Sequence, residues 1–244
     1  MASNYILISA ATSDIGAAIA NRLTHSNNLL LHGRDQGKLE ALQKSISGKN
    51  DVKTWCADFK KADEIQTSLK EIMSKNVINV SGLVHCAATL KILPLKNFRL
   101  EYMREIFEVN FFSALEIIRT LLLMTNNGRL DRIVFISSIF SNLGSKGNTI
   151  YSASKGALDS LAKSMALELA PAVKVNSILP GGMRTKMTDH LFDDESYMTE
   201  YHRNYPLGEG NPANIASMTA YLLSDAGNWI TGQQFIVDGG YSAR

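Results

Sequence analysis

The 244-residue sequence has little cysteine, little net charge and no long apolar run. Cys56 and Cys86 are too few for a disulfide framework and lie in strand-like apolar runs, so we expect buried free thiols in a reducing cytoplasm. The net charge of +2, with both signs interspersed, favours neither nucleic acid nor an anionic membrane surface as a partner. No apolar run approaches the roughly 18 residues of a membrane span, and no charged leader precedes the first strand. We therefore expect a cytoplasmic protein.

The sequence does contain a regular alternation of strand-like and helix-like segments. The predicted strands are Tyr5–Ala10, Asn28–His32, Val52–Cys56, Gly82–Ala87, Arg132–Ser138, Val173–Ile178 and Gln233–Val237. Most are continuous apolar runs, which is typical of a parallel sheet covered on both faces. Helical spacing of apolar residues predicts Ile15–His25, Asp35–Ser45, Ala62–Lys75, Leu100–Asn127, Tyr151–Ala170 and Pro212–Ser224. The pattern predicts an α/β fold, a doubly wound, Rossmann-type sheet of seven parallel strands in one domain spanning residues 1–244.

The stretch from Gly181 to Gly210 interrupts this alternation. It is long, lies between two sheet elements and carries several apolar and aromatic residues, namely Met183, Met187, Leu191, Phe192, Tyr197, Met198 and Tyr201. Long segments of this kind often close over a substrate. The sequence therefore predicts a candidate substrate lid at residues 181–210, with a purely structural excursion as the alternative.

Ser138, Tyr151 and Lys155 form the pattern with the most chemical content. Ser138 ends an apolar strand, and Tyr151 and Lys155 share one face of the following helix, so the ammonium can lie near the phenol oxygen. A cation there favours phenolate, and we expect it to lower the Tyr151 pKa from its ordinary value of about 10. Such a tyrosine can transfer a proton at neutral pH. An exposed tyrosine near a solvated lysine is the alternative for an isolated pair.

The first strand leads through a turn of small residues, Ser9 to Gly16, into a helix. In a doubly wound sheet a pyrophosphate rests at this turn, because free backbone N–H groups and the helix dipole attract it. Ala10 is tolerable there if its φ is negative. Asp14 would repel a pyrophosphate, although as the helix N-cap it could turn inward onto the N–H groups. The turn alone leaves nucleotide binding undecided.

The second strand ends in the segment Leu31-His32-Gly33-Arg34-Asp35. An acid at this strand tip accepts from the adenosine ribose 2′-OH, whereas an arginine binds a 2′-phosphate. Gly33 occupies the tip and Arg34 follows, and a guanidinium suits a phosphate by charge and geometry. This favours NADP(H), with NAD(H) possible because Asp35 could reach the ribose. Arg34 as a solvated charge at a helix start is the alternative.

Taken together, these segments resemble the common short form of the short-chain dehydrogenase/reductase family over essentially the whole chain. The first turn is similar to Thr-Gly-x-x-x-Gly-x-Gly, with Ala10 and Asp14 in place of two glycines and Gly16 as the third. Further matching segments are Val109-Asn110, Ile136-Ser137-Ser138, Tyr151-Ser152-Ala153-Ser154-Lys155, Val175 to Gly181 with Thr185, Thr231-Gly232-Gln233 and Asp238-Gly239-Gly240. His85-Cys86-Ala87-Ala88 stands where the family usually has Asn-Asn-Ala-Gly.

The resemblance implies roles for these positions. Tyr151 would protonate a carbonyl oxygen as hydride arrives, Lys155 would bind the nicotinamide ribose, and Ser138 would orient the substrate oxygen. Asn110 would hold a water linking Lys155 to solvent. The expected cofactor-binding positions are Ser9, Ala10, Thr12, Ser13, Ile15, Gly16, Arg34, Asp58, Ala87, Tyr151, Lys155, Pro180, Gly181, Met183 and Thr185. No metal site is expected, because His85 and Cys86 have no partner at ligand spacing.

The leading expectation is an NADP(H)-dependent carbonyl reductase or alcohol dehydrogenase for a small molecule, similar to 3-oxoacyl-thioester reductases. A sugar or polyol dehydrogenase and a non-catalytic nucleotide-binding protein are the alternatives. An acyl-carrier protein would want a basic rim, which the mixed charges of residues 184–195 do not supply. We also expect a homotetramer, because two long helices carry more apolar residues than one sheet face covers. These residues are Phe107, Phe111, Phe112, Leu158, Leu161 and Met165.

Overall fold

The computed structural model describes residues 3–46, 50–123 and 126–243, and a parallel sheet of seven strands runs through its centre. The strands are β1 (Ser3–Ser9), β2 (Asn28–Gly33), β3 (Val52–Cys56), β4 (Ile78–His85), β5 (Arg132–Ile136), β6 (Lys174–Pro180) and β7 (Gln234–Val237). They lie in the order β3-β2-β1-β4-β5-β6-β7. The order reverses between β1 and β4, and such a switch point opens a crevice at the carboxyl ends of the strands. The predicted doubly wound sheet is confirmed.

Helices cover both faces of this sheet. They are α1 (Asp14–Leu23), α2 (Gln36–Ile46), α3 (Ala62–Asn76), α4 (Leu100–Phe107), α5 (Ser113–Leu122), α6 (Thr149–Glu168), α7 (Asp189–Phe192), α8 (Glu195–Asn204) and α9 (Pro212–Leu222). Along β1, Leu7 packs with residues of α3, α5 and α6, whereas Ile6 and Ile8 pack with residues of α1, α2 and α9. Each face therefore has its own apolar core, which explains the continuous apolar strands.

The helix predicted over Leu100–Asn127 is interrupted. It ends as α4 at Phe107 and resumes as α5 at Ser113, and Glu108–Phe112 between them forms a π-helical turn. Such a turn inserts one residue and breaks the regular hydrogen bonds, often at functional sites. Apolar spacing alone cannot reveal it, because the residues before and after the turn still recur at helical intervals.

Two smaller expectations need correction. β4 begins at Ile78 rather than near Gly82, and its added residues pair with the start of β1 across an irregularity between Tyr5 and Ile6. Both cysteines are free, but Cys56 is exposed and Cys86 is only partly buried by surface area, since each lies at the end of a strand. None of the helices in the described part of the chain is long and apolar enough to cross a membrane.

The 181–210 segment contains α7 and α8 and packs as a small aromatic unit. Phe192, Tyr201 and Tyr205 are its buried centre, and the rings of Tyr201 and Tyr205 stack at 4.1 Å. Both phenols bind the backbone of Gly182: Tyr201 Oη donates to the carbonyl at 2.7 Å, and Tyr205 Oη accepts from the N–H at 2.7 Å. The segment is therefore anchored to the end of β6 by hydrogen bonds as well as by packing.

Candidate active site

Ser138, Tyr151 and Lys155 meet at the carboxyl end of β5. Ser138 follows the strand and is 7% exposed, and its Oγ accepts from the N–H of Phe140 at 3.2 Å. Tyr151 lies in the first turn of α6, and Lys155 follows one turn later with its side chain 1% exposed. Lys155 Nζ donates to the carbonyl of Ile136 at 2.8 Å and lies 5.9 Å from the centre of the Tyr151 ring.

Burial has the largest effect on the pKa values of Tyr151 and Lys155. It raises the pKa of Tyr151 to about 12, although a hydrogen bond from Ser138 lowers that pKa in part. The expectation that Lys155 would bring the Tyr151 pKa below its ordinary value is therefore wrong for the protein alone. Burial also lowers the pKa of Lys155 to about 8, against the opposing effect of the Asp159 charge. Near neutral pH the phenol is protonated and the ammonium is largely charged, which is the form that donates a proton.

Asn110 lies in the π-helical turn and is fully buried. Its Oδ1 accepts from the N–H of Thr89 at 2.7 Å, and its Nδ2 donates to the Thr89 carbonyl at 3.1 Å and to Ser154 Oγ at 3.0 Å. Ser154 Oγ in turn donates to the carbonyl of Tyr151 at 2.7 Å. The Asn110 amide thus joins the loop after β4 to the helix that carries Tyr151.

The turn between β1 and α1 requires the one glycine it retains. A Cβ on Gly16 would lie 2.4 Å from the Ala10 carbonyl oxygen, closer than any real contact. Ser13 is the N-cap, because its Oγ accepts from the N–H of Gly16 at 3.1 Å and donates to the Ala10 carbonyl at 2.8 Å. The first N–H groups of a helix have no intrahelical acceptors, so this cradle fits a phosphate.

Asp14 does not cap α1, contrary to expectation. Ser13 takes that role, and the Asp14 carboxylate points towards the 181–210 segment. Asp14 Oδ2 accepts from the backbone N–H of Lys186 at 2.6 Å, and Lys186 Nζ lies 3.8 Å from Oδ1. The acid therefore ties the turn between β1 and α1 to a segment 172 residues away in the chain.

Ala10 also differs from expectation, because its φ is +47° rather than negative. An L-residue in this left-handed region is strained by about 1–2 kcal/mol, which glycine avoids. We therefore expect Ala10→Gly to raise the free energy of unfolding by about 0.5–1 kcal/mol in urea titrations, after the added chain entropy of glycine is subtracted. Ala11→Gly, at a buried neighbour outside the left-handed region, should lower the free energy of unfolding instead. A loss of stability in Ala10→Gly would contradict the assignment of strain.

The tip of β2 presents Arg34 to solvent. Within the described residues no carboxylate lies at ion-pair distance from its guanidinium. Asp35, which could have reached a ribose, instead caps α2: its Oδ1 accepts from the N–H of Lys38 at 3.0 Å, and its other oxygen pairs with Lys38 Nζ at 4.0 Å. Gly33 is buried, and a Cβ there would lie 3.3 Å from Thr12 Oγ1.

The other expected cofactor positions lie along the same edge of the sheet. Ser9 Oγ accepts from the N–H groups of Cys86 and Ala87, at 2.9 and 3.0 Å, and so joins the ends of β1 and β4. Asp58 is exposed just beyond β3, and Ile15 lies in the first turn of α1. Pro180 ends β6, and Gly181, the buried Met183 and Thr185 follow it. The arrangement fits a dinucleotide laid across the carboxyl ends of the strands.

His32 is a supporting residue that the sequence reasoning missed. Its Nδ1 accepts from the N–H of Ala10 at 3.1 Å, its Nε2 lies 3.1 Å from the Ala57 carbonyl, and its ring stacks on Phe59 at 3.7 Å. Burial lowers the pKa of His32 to about 3, so the ring stays neutral and holds the strained turn in place. The sequence signal for this role was a histidine inside an otherwise apolar strand, where a buried polar side chain needs hydrogen-bond partners.

Comparisons with known proteins agree with this geometry. Residues 9–242 match the family model described as Enoyl-(Acyl carrier protein) reductase. A 3-oxoacyl-[acyl-carrier-protein] reductase of Rickettsia bellii is 31% identical, with 96% of this chain and 95% of the relative covered. An NADP-dependent (R)-specific alcohol dehydrogenase of Lentilactobacillus kefiri is also 31% identical, with 98% and 96% covered.

Solved structures are similar over the same length. A 4-hydroxyisoleucine dehydrogenase complexed with NADH superposes with a TM-score of 0.90 at 26% identity, and 99% of each chain is covered. A short-chain dehydrogenase/reductase of Brucella melitensis, described as a glucose/ribitol dehydrogenase, gives 0.88 at 27% identity, again with 99% of each chain covered. The chain belongs to the short-chain dehydrogenase/reductase family and is an oxidoreductase of that family.

Proposed function

We propose that this protein is an NADP(H)-dependent oxidoreductase that interconverts a carbonyl and a secondary alcohol, with Tyr151 as the proton donor and acceptor. The observation that carries the proposal is the placement of the buried Lys155 and the partly buried Tyr151 beside Ser138, on the sheet edge that also holds the Gly16 cradle. A solvated tyrosine and lysine, the alternative for an isolated pair, would not show opposite, burial-driven pKa shifts.

Tyr151, Ser138 and Lys155 would each have a different role in the reaction. The Tyr151 phenol, protonated at neutral pH, donates its proton to the carbonyl oxygen, and the Ser138 hydroxyl donates a hydrogen bond to the same oxygen. The ammonium of Lys155, held by the Ile136 carbonyl, stabilises the phenolate that remains and binds the ribose hydroxyls. The bound nicotinamide supplies or accepts the hydride. In the reverse direction the same phenolate removes the alcohol proton.

The preference for NADP(H) over NAD(H) rests on the tip of β2. Arg34 is exposed and has no carboxylate partner among the described residues, while Asp35 is committed to capping α2. A guanidinium without a counter-charge attracts a 2′-phosphate, whereas a ribose-binding acid would repel it. The name of the Lentilactobacillus relative, an NADP-dependent enzyme, supports the same preference.

For the substrate we propose a partly apolar carbonyl compound, a class that includes 3-oxoacyl thioesters, with sugars or polyols as the alternative. The 181–210 segment would act as its lid. The loops after β4 and β5 would complete the substrate pocket beside this lid, and their residues are mostly apolar: Leu90, Ile92, Leu93, Phe140, Asn142, Leu143 and Gly144. An acyl-carrier protein is less well supported, because Arg184 is engaged within the segment by Asp189, Asp193 and Glu209, at 3.4, 3.7 and 3.9 Å.

A substrate panel tests this function. NADPH oxidation is followed with 3-oxoacyl thioesters, cyclic and aryl ketones, and ketoses, and NADPH binding is measured separately by fluorescence. We expect the protein to bind NADPH. We also expect it to oxidise NADPH with at least one of the ketone classes as substrate. Binding without turnover of any carbonyl substrate would instead favour the non-catalytic nucleotide-binding protein, and turnover confined to ketoses would favour the polyol dehydrogenase.

We also propose a homotetramer. Phe112, on the π-helical turn, is 43% exposed, and Phe107, Phe111 and Leu161 are only partly buried, so apolar surface remains on this side of the molecule. Leu158 and Met165, expected to join them, are instead buried in the core of the single chain. We expect light scattering to give the mass of four chains at micromolar concentration, and Phe112→Glu to reduce it. A monomeric mass for the unmodified protein would contradict the proposal.

Asp14 should weaken cofactor binding through its charge. Asp14→Asn keeps an oxygen that can accept from the Lys186 N–H but removes a negative charge beside the proposed pyrophosphate site. We expect the Kd for NADPH to fall by roughly threefold to tenfold, as expected for one partly solvated charge pair. Glu71→Gln, which removes one exposed charge from α3, is the matched control and should leave the Kd unchanged. Weaker binding in Asp14→Asn would mean that the carboxylate itself supports the site.

A further inference from the structure

The 181–210 segment is joined to the first turn of α1 by the side chain of Asp14. Asp14 Oδ2 accepts a hydrogen bond from the backbone N–H of Lys186 at 2.6 Å, and the Asp14 side chain is 29% exposed. Asp14 stands where the family pattern has glycine, which has no side chain to make such a bond. Neither the proposed catalytic roles nor the expected cofactor contacts use this carboxylate.

The receiving end of this bond is a hydrogen-bonded turn just before α7. The N–H of Thr188 donates to the Thr185 carbonyl at 2.9 Å. Thr188 Oγ1 accepts from the Thr185 N–H at 3.1 Å and donates to the Met183 carbonyl at 2.7 Å. The first N–H groups of a helical turn have no acceptor within it, and Asp14 supplies an acceptor for the N–H of Lys186.

The ammonium of Lys186 contributes little to this link. Its Nζ lies 3.8 Å from Asp14 Oδ1, and the Lys186 side chain is 85% exposed. Ion pairs of such exposed side chains are weak, because solvent and salt screen them. The link therefore rests on the backbone N–H of Lys186, which Asp14 binds directly.

The bond joins the two sides of the proposed cofactor crevice. On one side, Asp14 follows the N-cap Ser13 and precedes Gly16 by two residues, within the cradle that fits a phosphate. On the other side, Lys186 directly follows Thr185, which is an expected cofactor position. A contact at this place lies across the path by which a dinucleotide would enter or leave the cradle.

The root of the segment has anchors of its own. Tyr201 and Tyr205 bind the backbone of Gly182 through their phenols, each at 2.7 Å, and Met183 forms a bridge with Gly210. The aromatic centre of the segment therefore does not depend on the bond to α1. Breaking that one bond would release the outer turn, residues 185–188, while the root stays packed.

We propose that Asp14 is a positioning residue that clasps the 181–210 segment across the cofactor crevice, and that opening of its bond to Lys186 controls the rate of NADP(H) exchange. With the bond formed, the outer turn is held beside the phosphate cradle. With the bond broken, the turn moves away and the cofactor is released. This inference rests on the proposed oxidoreductase function, because that function supplies the cofactor.

The Asp14 carboxylate then has two opposed effects on a bound cofactor. Its negative charge repels the pyrophosphate and favours release, whereas its hydrogen bond to Lys186 slows release. Asp14→Asn removes the charge but keeps an oxygen that can accept from the Lys186 N–H, and Asp14→Ala removes both. Because the two variants carry the same charge, a difference between them measures the bond.

Amide hydrogen exchange in the protein without cofactor tests the clasp itself. We expect the N–H of Lys186 to exchange about threefold to tenfold faster in Asp14→Ala than in Asp14→Asn, as for the loss of one hydrogen bond. Asp63→Ala, which removes an exposed acid from the first turn of α3, is the matched control and should leave this exchange rate unchanged. Equal exchange at Lys186 in the two Asp14 variants would overturn the proposal.

Stopped-flow displacement of bound NADPH by excess NADP⁺ tests the effect on cofactor exchange. We expect the dissociation rate constant of Asp14→Ala to exceed that of Asp14→Asn by about threefold to tenfold. Equal rate constants, or slower release from Asp14→Ala, would overturn the proposal, as would a protein that binds no NADPH. Binding of NADPH without turnover of any carbonyl compound would refute the proposed function instead, and both measurements would still test the clasp.

Discussion

Tyr151→Phe is expected to lower kcat at least about a hundredfold while leaving NADPH binding nearly unchanged. The substitution keeps the ring and its packing but removes the only proposed proton donor, and general acid catalysis is commonly worth about 10²–10⁴-fold. The carbonyl oxygen would then develop charge with only the Ser138 hydroxyl to stabilise it. Single-turnover hydride transfer, measured beside NADPH titration, separates the chemical step from binding.

Two further variants test the proposed roles of Ser138 and Lys155. Ser138→Ala should slow turnover but leave folding and cofactor binding largely intact, because the bond that its Oγ accepts comes from the N–H of Phe140 and caps only the short 3-10 turn Ile139–Ser141. Lys155→Ala should damage both the rate and cofactor binding, since the ammonium has two proposed roles. A Tyr151→Phe enzyme with a near-normal rate would place the proton donor elsewhere and refute the mechanism.

Arg34→Ala is expected to raise the KM for NADPH by about tenfold to a hundredfold and to change the KM for NADH little. The guanidinium is exposed and would make charge-assisted hydrogen bonds to the 2′-phosphate, which are stronger than neutral ones. Because both charges are near solvent, the difference should shrink as salt is added. Initial-rate kinetics with each cofactor at two ionic strengths measure both effects.

Lys44→Ala is the matched control for Arg34→Ala, because it removes an exposed positive charge from the last turn of α2, at the opposite end of that helix from the strand tip that carries Arg34. It should leave both KM values unchanged. Equal KM values for NADPH and NADH in the unmodified protein, or an equal loss for both cofactors in Arg34→Ala, would contradict the proposed preference.

The sheet was predictable because its strands are buried on both faces. Runs such as Leu29-Leu30-Leu31 have side chains in both apolar cores, so they carry no polar alternation and can only be central parallel strands. The meeting of Ser138 with Tyr151 and Lys155 was predictable for a related reason. A strand end and the first turn of the next helix lie at the same edge of a doubly wound sheet.

The remaining features depend on contacts between distant parts of the chain. Nothing local to Asp14 indicates that its carboxylate binds the N–H of Lys186. Similarly, the spacing of Tyr151 and Lys155 places an ammonium near a phenol but does not reveal how far the surrounding protein keeps water from them, and this desolvation reverses the expected pKa shift of the phenol. The positive φ of Ala10 follows from the path of the turn, which His32 fixes from the neighbouring strand.

The π-helical turn at Glu108–Phe112 constrains how this protein can evolve. Each helical residue advances the side chains by about 100°, so the one extra residue of the turn sets which face of α5 meets the sheet. With it, Ala114, Ile117 and Leu121 lie in the core. Deleting one residue from the turn would rotate that apolar stripe out of the core at the same time as it displaced Asn110. Insertions and deletions should therefore be selected against here through folding as well as through loss of the contacts that Asn110 makes to Thr89 and Ser154.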